Sequence, residues 1–312
     1  MTISSVDIHE VGPREGMQFE GIGDPSRIAT GEKVRLVDAL SGTGLSAIQV
    51  TSFVSPKAVP QMADADEITT AFSAAPGVTY DAVYLNDKGL LRAIDCGRYT
   101  IRGQVMLTAS ETFSVKNQRR TTAEDIEMQR KMAAVYAEHG YAIEQGMLMA
   151  AFGCNYEGDI PLQRVIDMTA TLFDLAAERG SMLSEVMLAD TMGWADPLQM
   201  QRTIGAVQDR WPDVDVSLHL HDTRGTAMAN TWTAMQMGVR KFDTSIGGLG
   251  GCPFAKSVAG NVPTEDLAFM CDRMGIETGV DVAALVDCVR IAEEVVGHPL
   301  PSRVGHASLV AA

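Results

Sequence analysis

The sequence predicts an α/β fold, a (β/α)8 TIM barrel with additional C-terminal helices, and three observations carry that expectation. Short β-branched or apolar runs alternate with stretches of helical period. The alternation yields eight strand–helix units before about residue 275. No Pro/Ser-rich linker or charge block interrupts the 312 residues. Strict βα alternation implies a parallel sheet with right-handed crossovers. Eight such units at this spacing suit a closed barrel, which takes about 250 residues with its helices. An open doubly wound sheet is the alternative that the same alternation allows.

The predicted strands are 6–11, 47–51, 80–85, 100–107, 143–152, 184–189, 214–219 and 241–246. Helical period marks 28–40, 124–139, 161–179, 197–210 and 226–237, with two further helices, 265–274 and 282–296, packing on the barrel. Gly44, Gly97, Gly140, Gly180 and Gly238 punctuate helix ends, where a left-handed residue costs least. Thr121 with Glu124, Asp159 before Pro161, and Asp196 before Pro197 read as helix starts. The expectation is one catalytic domain over 1–312, with the barrel at about 3–275 and a helical extension at about 276–312.

Composition narrows the function. Forty acidic against 25 basic residues leave a net charge of −15. Such a surface repels phosphate backbones and anionic lipid, so nucleic-acid and membrane-surface roles are disfavoured. At 46% hydrophobic and 21% charged, the chain is ordinary for a globular protein. No apolar run approaches the roughly 20 residues of a bilayer span, and no basic-then-apolar start reads as a signal peptide. The five cysteines are scattered and odd in number, which suits a reducing cytoplasm better than a disulfide framework. The expectation is a cytoplasmic enzyme.

The strongest local signal is Ser217-Leu218-His219-Leu220-His221-Asp222. Side chains alternate along a strand, so His219 and His221 share a side. At the end of a barrel strand that side is the interior mouth. Two imidazoles aimed at one point are half of a metal site, or else a hydrogen-bonded core pair. Glu15, after the first strand, offers a hard oxygen suited to Mg2+ or Mn2+, and Arg14 beside it a fixed positive charge for an oxyanion. A solvated ion pair in a loop is the plainer reading of these two. After the last strand, Gly247, Gly248, Gly250 and Gly251 lead into Cys252, and Asn261 follows. The glycines permit unusual backbone angles and close approach to a ligand. Asp190 and Thr191 end the sixth strand and Thr51, Ser52 and Phe53 the second, so the polar candidates gather at the C-terminal ends of different strands. Cys96, Cys154, Cys271 and Cys288 read as packing residues, and His9, His139, His298 and His306 receive no role.

These same stretches resemble the DRE-TIM metallolyase superfamily, and within it the 3-hydroxy-3-methylglutaryl-CoA lyase (hydroxymethylglutaryl-CoA lyase) branch. The matching segments are 11–20, 51–62, 188–193, 219–231 and 247–267, and the cysteine loop is specific for the lyases. The resemblance implies a metal-dependent retro-Claisen cleavage of a 3-hydroxyacyl-CoA, with coenzyme A part of the substrate. It implies Mg2+ or Mn2+ on Glu15, His219, His221 and Asn261. Arg14 would stabilise the enolate oxygen, Cys252 would protonate the enolate carbon, and His219 or Glu15 would be the base. Asp190 would lie by the metal, with substrate contacts from Gln18, Gln49, Ser110 and Thr191. A homodimer follows by analogy with related barrels. Glu15, Gln49, Gln145 and Phe19 depart from the lyase pattern. Gln49 and Gln145 are neutral where the lyases carry charge, so Arg14 is expected to be held differently, and a different acyl-CoA with a larger or less charged 3-substituent fits these changes. A carboligase joining acetyl-CoA to a 2-oxo acid, or a non-catalytic metal-binding barrel, are the alternatives.

Overall fold

The computed structural model describes residues 3–20, 24, 28–251 and 260–307. All eight predicted strands are present, each parallel to its paired neighbour wherever a ladder is defined. The chain divides into two units, one built on Ser4–Thr100 and Phe242–Ala312, the other on Ile101–Lys241.

The first unit opens with β1 (Asp7–Glu10), α1 (Gly12–Phe19), α2 (Thr30–Leu40), β2 (Ala47–Ser52), α3 (Ala65–Ala71), β3 (Thr79–Val83) and α4 (Asp87–Asp95). The second unit runs through β4 (Gly103–Thr108), α5 (Glu111–Gln118), α6 (Thr122–Glu138), β5 (Ile143–Met149), α7 (Leu162–Ala177), β6 (Glu185–Asp190), α8 (Pro197–Arg210), β7 (Asp215–Leu220) and α9 (Ala227–Gln236). The chain then returns to the first unit with β8 (Lys241–Thr244), α10 (Thr264–Arg273) and α11 (Val282–Val296).

Within the first unit the strand order is β3-β2-β1-β8. Register sets His9 opposite Ala47 and Gln49 opposite Asp81, with an irregularity between Gln49 and Thr51. Ile48, Leu36, Val37, Leu40, Leu90, Leu285 and Val289 are buried between these strands and their helices. The apolar stripe of α11 packs on α2, as its period predicts. In the second unit the order is β7-β6-β5-β4, with Gln145 opposite Glu185 and Glu185 opposite Asp215. Every residue of β6 is buried, as expected of a strand covered on both faces.

The predicted boundaries mostly hold. The capping box at Thr121 and Glu124 forms, Asp196 caps α8, and the five punctuating glycines have φ between 63° and 88°. Asp159 is a correction: Pro161 occupies the N-cap of α7, and the Asp159 carboxylate accepts a hydrogen bond from Trp194 Nε1 instead. Helices α1, α3, α4 and α5, of seven to nine residues, went unpredicted because two turns leave little room for a periodic stripe.

Candidate active site

In the first unit, the site residues hang on the start of α1. Gly12 carries no side chain because a Cβ there would lie 2.6 Å from Glu10 Oε1 and 2.7 Å from Ser245 Oγ. The Glu10 carboxylate fills that corner. It accepts from the backbone N–H of Gly12 at 2.7 Å and of Ile246 at 2.9 Å, and from the Thr264 hydroxyl at 2.5 Å. Pro13 follows in the first turn of the helix, where an N–H has no intrahelical partner and its absence costs little. Arg14 and Glu15 therefore sit in a helix rather than in the solvated loop the sequence also allowed.

Arg14 and Glu15 form an ion pair of 2.9 Å, with side chains only 15% and 9% exposed. Arg14 Nε also donates to Gln49 Oε1, so the neutral amide does hold the guanidinium, as an acceptor rather than as a counter-charge. Gln18 lies one turn further along α1, partly exposed. Asn261 Nδ2 donates to Glu15 Oε1 at 3.3 Å and to the Leu249 carbonyl at 3.2 Å. The Asn261 Oδ1 atom is buried and accepts no hydrogen bond among the described residues. The glycine loop behaves as its composition suggests: Gly247, Gly248 and Gly250 have φ of 65°, 74° and 102°. Cys252 lies outside the described residues.

In the second unit, β7 delivers His219 and His221 to one side, as alternation requires. Their Nε2 atoms are 3.1 Å apart, and the rings are 5% and 2% exposed. Gly193 lets the turn after β6 pass close by, because a Cβ there would sit 2.7 Å from the His221 carbonyl. Asp190 is buried at the end of β6 and accepts from the N–H groups of Trp194 at 2.7 Å and Ala195 at 3.0 Å. Burial raises its pKa, with those two N–H groups and His221 pulling the other way. Thr191 Oγ1 accepts from Ala150 N at 3.0 Å, and Asp222 Oδ1 accepts from Ala227 N, the first residue of α9, at 2.9 Å. Ser110 is buried at the N-cap of α5, accepting from Phe113 N at 3.1 Å, and the Cys154 thiol donates to its oxygen.

Gln145 goes elsewhere. It donates to Glu185 Oε1 at 2.6 Å, near the beginning of β5 and β6, away from the strand ends that carry Asp190 and His219. Glu185 also accepts from Ser217 at 2.7 Å and pairs with Arg102 and Lys241 at 3.1 and 3.0 Å. Buried yet so well supplied with donors, its carboxylate has a pKa below the ordinary value. Sequence reasoning missed this cluster, and it missed His9, whose ring nitrogens face Asp81 Oδ2 at 2.7 Å and Asp243 Oδ1 at 2.9 Å. The available signal was a lone charged residue inside each of several otherwise apolar strands.

Each unit by itself offers donors that suit a divalent cation: a buried carboxylate and a buried amide oxygen without a hydrogen bond among the described residues in the first, and two adjacent imidazole nitrogens in the second. The comparisons with known proteins agree in family. The HMGL-like family model matches residues 5–292. The hydroxymethylglutaryl-CoA lyase YngG of Bacillus subtilis is 41% identical over 96% of this chain and 95% of its own length. The crystal structure of the Bacillus subtilis HMG-CoA lyase matches with a TM-score of 0.87 at 40% identity, covering 97% of each chain. An HMG-CoA lyase from Acinetobacter baumannii, in complex with coenzyme A and 3-methylmalate, matches with a TM-score of 0.85 at 34% identity, covering 97% of this chain and 95% of that one. The eight strands with their helices and the C-terminal helices are thus an α/β, TIM-like fold. By sequence and by fold, the chain belongs to the HMGL-like family of lyases.

Proposed function

We propose that the chain cleaves 3-hydroxy-3-methylglutaryl-CoA, or a close 3-hydroxyacyl-CoA, to acetyl-CoA and a 3-oxo acid, acetoacetate for the parent substrate. The observation that carries this reading is the buried His219–His221 pair, with Nε2 atoms 3.1 Å apart at the end of β7. The proposed ligands of a divalent cation, Mg2+ or Mn2+, are Glu15, His219, His221 and Asn261. Bound there, the ion supplies Lewis acidity to the substrate hydroxyl.

The protein's own groups account for the remaining chemistry. His219 or Glu15 takes the proton of the tertiary hydroxyl. The bond between the α- and β-carbons of the thioester then breaks, and its electron pair moves into the enolate of acetyl-CoA. Arg14, fixed by Glu15 and Gln49, meets the developing enolate oxygen with a preorganised positive charge. The Cys252 thiol protonates the enolate carbon and regains its proton after product release. Gln18 and Thr191 contact the substrate, while Asp190 and Ser110 hold the turns from which the neighbouring groups project.

The two units are proposed to form one catalytic domain over 1–312, a closed (β/α)8 barrel that works as a homodimer in the cytoplasm. The scattered spacing and odd number of the cysteines support that compartment. Incubating the purified protein with Mn2+ and a panel of 3-hydroxyacyl-CoA thioesters, and following acetyl-CoA by mass spectrometry, tests the reaction. Cleavage of at least one thioester is expected. Condensation of acetyl-CoA with 2-oxo acids, without cleavage across the panel, would overturn it in favour of a carboligase.

A further inference from the structure

The first unit holds a polar chain that the reaction above does not use. It crosses four adjacent strands, from Asp243 on β8 through His9 on β1 and Asp81 on β3 to Gln49 on β2, and ends at Arg14 on α1. The distances are 2.9 Å for His9 Nδ1 to Asp243, 2.7 Å for His9 Nε2 to Asp81 Oδ2, and 2.8 Å for Gln49 Nε2 to Asp81 Oδ1. Parallel register makes the last contact, by setting Gln49 directly opposite Asp81.

The donors and acceptors along this chain have one consistent arrangement. A glutamine amide presents either its oxygen or its nitrogen in a given direction, and the two differ by a half-turn of the terminal torsion. A guanidinium only donates, so Arg14 requires the oxygen. An ionised carboxylate only accepts, so Asp81 requires the nitrogen. Each of the two ring nitrogens of His9 faces a carboxylate oxygen, so each carries a proton and the ring is an imidazolium. The ring thereby ties Asp81 to Asp243. Burial opposes a charge on His9, but Asp81 and Asp243 together outweigh it and raise its pKa well above the ordinary value.

We propose that His9 and Asp81 are positioning residues for Arg14: the imidazolium clamp holds Asp81 as a pure acceptor, Asp81 turns the Gln49 amide, and the amide oxygen aims the guanidinium at the thioester. The proposal rests on the reading that Arg14 serves an acyl-CoA substrate. It explains how a neutral residue at position 49 supports an arginine that an adjacent carboxylate would otherwise orient. The negative charge is moved one residue back, to Asp81, and the amide transmits its direction.

The test uses the full chain and two readouts. In the first, kcat and KM for 3-hydroxy-3-methylglutaryl-CoA are measured with Mn2+ for the wild type, His9→Leu, Asp81→Asn, the pair Gln49→Glu with Asp81→Asn, and that pair combined with His9→Leu. Asp81→Asn is expected to lower kcat about tenfold while KM changes less than threefold, because an amide at 81 no longer dictates how Gln49 turns. Gln49→Glu with Asp81→Asn is expected to recover kcat to within threefold of wild type, because a carboxylate then accepts from Arg14 directly. His9→Leu should cost about tenfold in the wild-type background and less than threefold in the rescued one. A merely structural His9 would cost the same in both, and that outcome overturns the proposal, as does an Asp81→Asn kcat within twofold of wild type.

The second readout needs no substrate. The Arg14 Nε–H resonance, identified by its loss in Arg14→Lys, is expected to exchange slowly with water in the wild type, quickly in Asp81→Asn, and slowly again in the rescued pair. Unchanged exchange in Asp81→Asn overturns the proposal even if no thioester is cleaved, whereas absent cleavage with the expected exchange overturns only the substrate reading. Should Asp81→Asn fail to fold, Gln49→Met breaks the same link and is read the same way.

Discussion

His219 Nε2 and His221 Nε2 lie 3.1 Å apart, with both rings buried and one strand residue between them. Two nitrogen lone pairs at that distance repel unless a proton or a cation lies between them. A shared cation resolves the contact and recruits the carboxylate and amide donors of Glu15 and Asn261 in the proposed site. His221→Ala is therefore expected to lower bound metal from near one equivalent to below a tenth after dialysis against Mn2+, measured by plasma mass spectrometry. Retention of full occupancy would make the pair a hydrogen-bonded core feature.

Asn261 gives an independent check. Its Nδ2 atom serves Glu15 and the Leu249 carbonyl, while Oδ1 has no hydrogen bond among the described residues. A buried amide oxygen left so costs about 1–3 kcal/mol. If it is a cation ligand, Asn261→Ala weakens Mn2+ binding at least tenfold, by calorimetric titration, and lowers the melting temperature of the metal-bound protein more than that of the metal-free protein. Equal losses in both would assign Asn261 to the loop contact alone.

Cys252 is proposed to deliver a proton and not to bind metal. Cys252→Ser should cut kcat by at least a hundredfold, because a hydroxyl is a far weaker acid than a thiol, while bound Mn2+ stays at the wild-type level. Parallel loss of metal would make the residue structural.

How much of this was legible in the sequence depended on the range of the interaction involved. The strands follow from short apolar or β-branched runs and the histidine pair from a period of two, both of them local, and His219 and His221 met as alternation required. Helix α1 did not show, since eight residues with glycines at positions 12 and 16 carry no stripe, and its place is set by the distant Glu10–Thr264 corner. The neutral Gln49 was visible as a departure, but its partner Asp81 is 32 residues away, and only the register of β2 on β3 brings them together. Gln145 looked like a site position by likeness, and Glu185 takes it instead, at the opposite ends of the strands from Asp190.

That corner predicts the effect of a methyl group. Gly12→Ala would place a carbon 2.6 Å from Glu10 Oε1 and 2.7 Å from Ser245 Oγ, and Glu10 cannot retreat without releasing Gly12 N, Ile246 N and Thr264. Overpacking of this kind costs about 1–3 kcal/mol. Because Arg14 and Glu15 follow within one turn, kcat should fall further than stability alone requires. A melting temperature within 1 °C (about the scatter of such a measurement) and a wild-type kcat would show that the corner yields easily.

Glu10 also makes stability depend on pH. Burial raises its pKa from 4.5 to about 7, although hydrogen bonds from Thr264, Ile246 and Gly12 and the nearby His9 lower it. Between pH 4.5 and 7 the unfolded chain has released a proton that the folded protein keeps, so the folded state binds more protons and stability falls as pH rises. The contribution is fully present below the unfolded value and is lost once pH passes the folded one. Glu10→Gln removes it with little change of shape, because the amide can accept from Gly12 and Ile246 and donate to Thr264. Urea unfolding at pH 5 and pH 8 should show the wild type losing on the order of 3 kcal/mol more than the variant across that interval. Glu265, buried and raised to about 8, remains in both proteins and leaves a shared residual decline. Equal losses in the two proteins would mean that the Glu10 carboxylate is ionised in the fold throughout, with its three donors outweighing its burial.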